Sequence, residues 1–156
     1  MQNPAAVSDG DGEWFEIYNP NDDPVDLDGW TVKDNGSNTF TVSGSLVIPA
    51  GGFLVLGNNA SPATNGGVTI DYEYSGFTLK NSEDQIRLSA PSGALLDSVR
   101  YDDGVLWPDS AGQSICLDPA VDDPWVADDP ALWCHSSSVM GGGDTGTPGA
   151  ANDACP

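Results

Sequence analysis

Apolar residues in this chain recur at every second position in short runs, and the runs are divided by Gly, Pro, Asn and Asp. Period two is the strand period, because successive side chains on a strand point to opposite faces. In WFEIY, Phe15 and Ile17 alternate with Trp14, Glu16 and Tyr18, which predicts a strand sending Phe15 and Ile17 into a core. The turn cluster NPNDDP follows, then VDLDGWTVKD, in which Trp30 after Gly29 reads as a large anchor between two sheets. TFTVSG repeats the spacing with Phe40 and Val42. LVIPAGGFLVLGN is a pair of apolar runs split by Pro49-Ala50-Gly51-Gly52, a turn whose glycines are free to take positive φ. Further strands are predicted in 68–74, 76–81, 85–90 and 94–101, the last two joined by a hairpin turn at Ser92-Gly93. About eight or nine short strands at this spacing predict an all-β sandwich or barrel. No segment sustains a helical period, and there is no internal repeat.

From Asp102 the character changes to Pro, Gly, Asp and Ser, yet Trp107, Trp125 and Trp133 are more aromatic than a disordered linker carries. The expectation is one domain over 1–156. Residues 1–101 form a strand-rich sandwich, and 102–156 form an ordered, irregular C-terminal wrap with one last strand near Gln113–Leu117.

Charge narrows the functions. Twenty-four acids stand against four bases, Lys33, Lys80, Arg87 and Arg100, for a net charge of −20. Nucleic-acid binding by phosphate neutralisation is excluded, and an anionic membrane surface is an unfavourable partner. Twenty of the acids are Asp, which suits turns better than helices. Three cysteines, Cys116, Cys134 and Cys155, allow one disulfide and leave one thiol. A lone thiol one residue from the end has little structural purpose, whereas a Cys134–Cys155 bridge pins the tail and is worth about 3 kcal/mol. That pairing is preferred over Cys116–Cys134, and it implies an oxidising compartment. The opening MQNPAAVSDG has neither the charged start nor the apolar run of an export signal, and no stretch approaches the length of a membrane span. The chain is expected to be one domain of a longer exported protein.

Five stretches in order, GEWFEIYNP, VDLDGW, LVIPAGGFLVLG, DQIRLSAPSGALLDSVRY and GTPGAAN, together resemble the bacterial lamin tail domain, from about Asn3 to Asn152. The resemblance implies an immunoglobulin-like β-sandwich that is not itself an enzyme. It would be an accessory module of a larger secreted or cell-surface protein, acting in anchoring, adhesion or protein contact. The similar domain of animal lamins carries a basic surface, from which this acidic chain departs, so nuclear and DNA-binding roles are not carried over. The implied location is extracellular or the bacterial cell surface, and the implied partner is an extracellular protein or a polysaccharide. The family pattern also has a strand ahead of Asn3-Pro4. An edge strand left unpaired could join a neighbour, so a monomer or a weak edge-strand dimer is expected.

Candidate chemistry is sparse. In DGDGE, Asp9, Asp11 and Glu13 alternate with glycines as hard-cation ligands do, and Glu16 shares a strand face from which it could reach back to a structural calcium. A full EF-hand loop runs about twelve residues between helices, whereas this one enters a strand, so an acidic turn is the stronger reading. Asp22, Asp23, Asp122, Asp123, Asp128 and Asp129 are the further acids such a site would draw on. Trp14 with Tyr18, Tyr72 with Tyr74, and Trp107 would line a sugar-binding groove if exposed. The plainer reading covers Trp14 with the wrap. His135 is the sole histidine, and Gly112-Gln113-Ser114-Ile115-Cys116 departs from a nucleophile elbow at its last place. Cys116, Cys134, His135 and Cys155 make a nominal zinc set, but adjacent Cys134-His135 is a poor chelate and no CxxC occurs. Two sequons, Asn35-Gly36-Ser37 and Asn59-Ala60-Ser61, fit exposed loops.

Overall fold

A computed structural model describes residues 1–121, 123 and 126–156; Asp122 and Trp125, named above, lie outside the described residues. After one helical turn, α1 (Asp9–Gly12), the strands are β1 (Trp14–Tyr18), β2 (Val25–Asp26), β3 (Thr31–Lys33), β4 (Thr39–Thr41), β5 (Val47–Ile48), β6 (Phe53–Gly57), β7 (Tyr72–Glu73), β8 (Asp84–Ser89), β9 (Leu95–Tyr101), β10 (Ile115–Leu117) and β11 (Trp133–His135). One sheet has the order β1-β6-β7, the second β4-β3-β8-β9, and β2-β5 and β10-β11 are two-stranded ribbons.

The alternation of β1 sets the register. Phe15 stands opposite Leu56 and Ile17 opposite Leu54, so the inward faces of β1 and β6 coincide. They meet Val32 and Phe40 of the other sheet, with Leu27, Val42, Ile48, Tyr74, Phe77 and Leu79 completing the core. Phe15 lies 6.4, 5.7 and 6.3 Å, between ring centroids, from Phe40, Tyr74 and Phe77. Ile17 and Trp30 pack against this cluster while keeping partial exposure, as anchors at its margin. The fold is an all-β, immunoglobulin-like sandwich.

The hairpin at Ser92-Gly93 forms, with Gly93 at φ 85° and Ala90 N–H donating to Ala94 at 2.9 Å. Segments 68–74 and 76–81 give only the two-residue β7, although Val68, Tyr74, Phe77 and Leu79 are buried as strand residues would be. Side chains replace the ladder there: Val55 N–H donates to the Asp71 carboxylate at 2.9 Å, and Leu79 N–H to Glu13 Oε2 at 3.0 Å. Period two therefore marked burial correctly but overstated strand length.

Among the described residues, the segment after β9 holds two strands where the sequence predicted one. β11, Trp133–His135, was not predicted; it forms as the antiparallel partner of β10. A 3-10 turn, Pro130–Leu132, leads into it, its first N–H taken by Asp129 at 3.0 Å. Residues near 140–146 fold back over the outer face of β1 and β6, where Met1, Trp14, Val55 and Val68 form a second apolar cluster with Ile70 and Met140. Asp144, itself buried, holds the N-terminal segment by accepting from Ala5 N–H at 3.0 Å and Ala6 N–H at 3.1 Å. Gly142 sits so close that a Cβ would lie 2.8 Å from the Gly66 carbonyl oxygen, so only glycine fits.

Both free sheet edges that border the wrap are covered. Met1 exchanges two backbone hydrogen bonds with Trp14 on β1, and Asp128 accepts from Ser98 Oγ at 3.1 Å and Arg100 N–H at 3.3 Å on β9. Covered edges oppose the edge-to-edge pairing that unpaired strands invite. Among the described residues no helix is long and apolar enough to cross a membrane.

Candidate functional site

A cavity of about 350 Å³ lies where β1, β8 and β9 face the ribbon β10-β11. Ile17, Leu88, Val99, Ile115, Leu117 and Trp133 give it an apolar wall. Asp97 enters the same wall because it is in phase with Val99 and Tyr101 along β9. Its Oδ1 is buried without a hydrogen-bond partner, and so is Oε1 of Gln2, which also lines the cavity. Burial pushes the Asp97 carboxyl above the ordinary range; the Ser98 N–H opposes the rise and Asp128 adds to it. Sequence reading passed over Asp97 as one more strand residue. The signal was present: an acid on the inward phase of an otherwise apolar face.

The four carboxylates of the acidic stretch are not brought together. Asp9 accepts from Asn81 Nδ2 at 3.0 Å, and Asp11 from Ser8 Oγ at 2.7 Å. Glu13 turns inward to Leu79 N–H, and Glu16 accepts from Gly149 N–H in the wrap. Each one fastens a different loop. Among the described residues, no group of three or more His, Cys, Asp or Glu could hold a metal ion. A thermal melt in calcium, magnesium or chelator at matched ionic strength is accordingly expected to give one midpoint. A rise specific to calcium would restore the calcium reading of Asp9, Asp11, Glu13 and Glu16.

Glu13 and Glu16 are both pushed up from 4.5 to about 7, chiefly by burial. Their accepted N–H bonds, from Leu79 and Gly149, oppose the shift, and Asp9 and Asp71 respectively add to it. In the unfolded chain both ionise near the ordinary value, so between the two pKa values the folded state holds protons that the unfolded state releases. The stability they confer is complete below pH 4.5 and is lost as pH rises through about 7. The melting temperature is expected to fall across that window. Glu13→Gln should flatten part of the fall and raise the midpoint at the alkaline end, as read by calorimetry across pH.

The tail is fastened by a disulfide and by hydrogen bonds at Asn152, Asp153 and Cys155, whose N–H donates to Asp118 at 3.3 Å. Cys134 and Cys155 form a disulfide, the pairing preferred from the sequence. Asp153 accepts from Ser136 Oγ at 2.6 Å, Ser138 Oγ at 2.7 Å, and the N–H groups of Ser137 and Ser138 at 2.8 and 2.9 Å. Those donors hold its carboxyl well below the ordinary range. Asn152 Nδ2 donates to Leu117 O at 2.9 Å. Cys116 is the free thiol, buried 3.8 Å from Cys134 Sγ. Burial, with the charges of Asp153 and Asp118, pushes it up to about 11, which leaves it protonated and unreactive near neutrality. His135 Nε2 is buried with no hydrogen-bond partner.

A family model described as Lamin Tail Domain matches residues 1–103 of the 156. The chain belongs to the lamin tail domain family. Its sandwich is the immunoglobulin-like fold of that family, which is a family of non-enzymatic protein-interaction modules. No curated protein matches the chain. The family match ends just past β9, so the wrap that roofs the cavity lies outside it.

The row of exposed aromatics is not what this lamin tail domain presents. Trp14 is 6% exposed, under Met140 and the Gly146 turn. Tyr74 is buried in the core against Phe40, where Tyr72 also packs. Trp107 is buried with its ring 5.3 Å from that of Trp133. Tyr18 alone of the five stays open, its ring stacked on Phe53 at 4.8 Å. The wrap covers Trp14 and takes in Trp107, whereas Tyr72 and Tyr74 are drawn into the core between the sheets.

What the surface does present is a loop. The Asp102 carboxylate takes the N–H groups of Val105, Leu106 and Trp107 at 3.0–3.1 Å, while Trp107 is sunk in the wrap. Val105 and Leu106 are left 76% and 72% exposed at the tip.

Proposed function

We propose that this domain is a non-catalytic accessory module of a larger secreted or cell-surface protein, and that it works by protein contact. The observation that carries the reading is the loop after β9. Two large apolar side chains held in water on a backbone fixed by one carboxylate are costly for a monomer and useful at an interface. A preorganised tip loses little conformational entropy on docking, and an apolar centre with a polar surround is the usual anatomy of a contact patch. Family membership supports the same reading, as does a disulfide that suits an oxidising, extracellular setting.

The second reading, attachment to a polysaccharide, rests on Tyr18 stacked on Phe53 as a single exposed platform. One test separates the two. Labelled domain is added to cells of the producing organism after surface proteolysis or after treatment with glycan-degrading enzymes. Protein contact predicts that proteolysis removes retention and glycan removal leaves it. The reverse pattern would move the function to polymer binding.

A further inference from the structure

The cavity under the wrap is more than the protein-contact reading requires, and its chemistry is one-sided. At about 350 Å³ it falls at the lower end of ligand sites, which run from roughly 300 to 1,000 Å³. Its walls are mostly apolar, with Glu16, Asp118 and Asp123 also on the lining, and the two buried polar atoms without hydrogen-bond partners in it, Asp97 Oδ1 and Gln2 Oε1, are both oxygen acceptors. The Gln2 amide is oriented by its nitrogen, which donates to Asp109 Oδ1 at 3.3 Å, so its oxygen is the atom offered to the cavity. No Lys or Arg side chain answers them, and the Met1 ammonium, which also lines the cavity, donates to Trp14 O at 3.0 Å. Lys33, Lys80, Arg87 and Arg100 are all exposed, and Arg100 faces Glu83 at 3.6 Å.

We propose that this cavity is a binding site for a small apolar amine. The protonated amine is held by Asp97 with help from the Gln2 carbonyl, and the hydrocarbon part lies against Ile17, Leu88, Val99, Ile115, Leu117 and Trp133. A buried acceptor with no donor carries a desolvation cost that an incoming N–H⁺ group removes. The surrounding net charge of −20 draws cations toward the surface and turns anions away. An alkanoate therefore meets both the wrong local group and the wrong field. This site and the loop contact are separate, so either can fail alone.

The test uses n-hexylamine and n-octylamine against the alkanols and alkanoates of equal length, by calorimetric titration of the whole domain in 0.15 M salt. Saturable one-to-one binding of the amine is expected, at least tenfold tighter than the alcohol, with no binding of the alkanoate. Asp97→Asn is expected to erase the preference for amine over alcohol while the protein melts no lower than wild type. If Asp97→Asn does not fold, Gln2→Leu serves, with a weaker loss of the same preference. Equal affinity for amine and alcohol, or an amine preference that survives in the folded variant, would overturn the proposal and leave the cavity an apolar void. Surface retention of the domain is read in parallel. Its loss with amine binding intact would sink only the contact reading.

Discussion

Phe15→Ala is expected to remove about 3–5 kcal/mol of stability, the usual range for a core phenylalanine. Phe15 is 8% exposed and its ring touches three others, those of Phe40, Tyr74 and Phe77. It is also the residue of β1 that meets Leu56 of the central strand β6 across the ladder. Truncation forfeits the transfer free energy of the ring and opens a void that four neighbours cannot all close into. Domains hold roughly 5–15 kcal/mol in total, so the variant should be near its limit at room temperature. Urea titration is the check, with a lowered midpoint and an unchanged slope. Phe15→Leu, which keeps most of the volume, should lose less than half as much. A loss under about 1 kcal/mol for the alanine variant would mean that the sheets are not closed over this residue.

Removing the Cys134–Cys155 bridge is the second large change. The two cysteines are 21 residues apart, and the chain-entropy model gives about 3 kcal/mol for a loop of that length. The double variant Cys134→Ala/Cys155→Ala is the one to make, because Cys116 Sγ stands 3.8 Å from Cys134 Sγ and would pair with a lone Cys134 under oxidation. The effect should be local first. With the bridge gone, the tail keeps the hydrogen bonds of Asp153 and Asn152 and that of the residue 155 N–H to Asp118. Amide exchange is expected to rise across 136–156 before it rises in β1, β6 or β8, since weakly fastened segments open below the global unfolding free energy. Uniform protection in the oxidised protein and the double variant would show that the bridge contributes nothing to holding the wrap.

The sandwich was legible because its central strands obey a rule that a single sequence displays. Phe15 and Ile17, Leu54 and Leu56, and Ile86 and Leu88 are each two apart and each face the core. The bulk of the turns were legible too, since Gly51 and Gly93 do take positive φ. The family could be named from five stretches in order, of which four lie within the matched residues 1–103 while GTPGAAN, and with it the expected reach to Asn152, lies outside. The irregular half resisted because its contacts are between side chain and backbone over long separations. Nothing local marks Asp144 as the holder of Ala5 and Ala6, or Glu16 as the acceptor for Gly149. The DGDGE stretch carried two readings, an acidic turn and a calcium loop, and the distant partners its carboxylates take, Asn81 and Leu79, are not marked by anything local. Trp14 offered two readings, and the coverage by Met140 decided for burial. The cavity itself was invisible, because it exists only where β1, β8 and β9 face the ribbon β10-β11.

The central claim is that the domain acts through a protein contact made by the loop after β9. The most direct measurement compares retention of wild type and Val105→Asp/Leu106→Asp on cells of the producing organism. Both residues are more than two-thirds exposed, so the pair should leave the melting temperature within about a degree or two. Retention is predicted to fall at least tenfold in the variant. Undiminished retention by a variant that melts like wild type would contradict the claim.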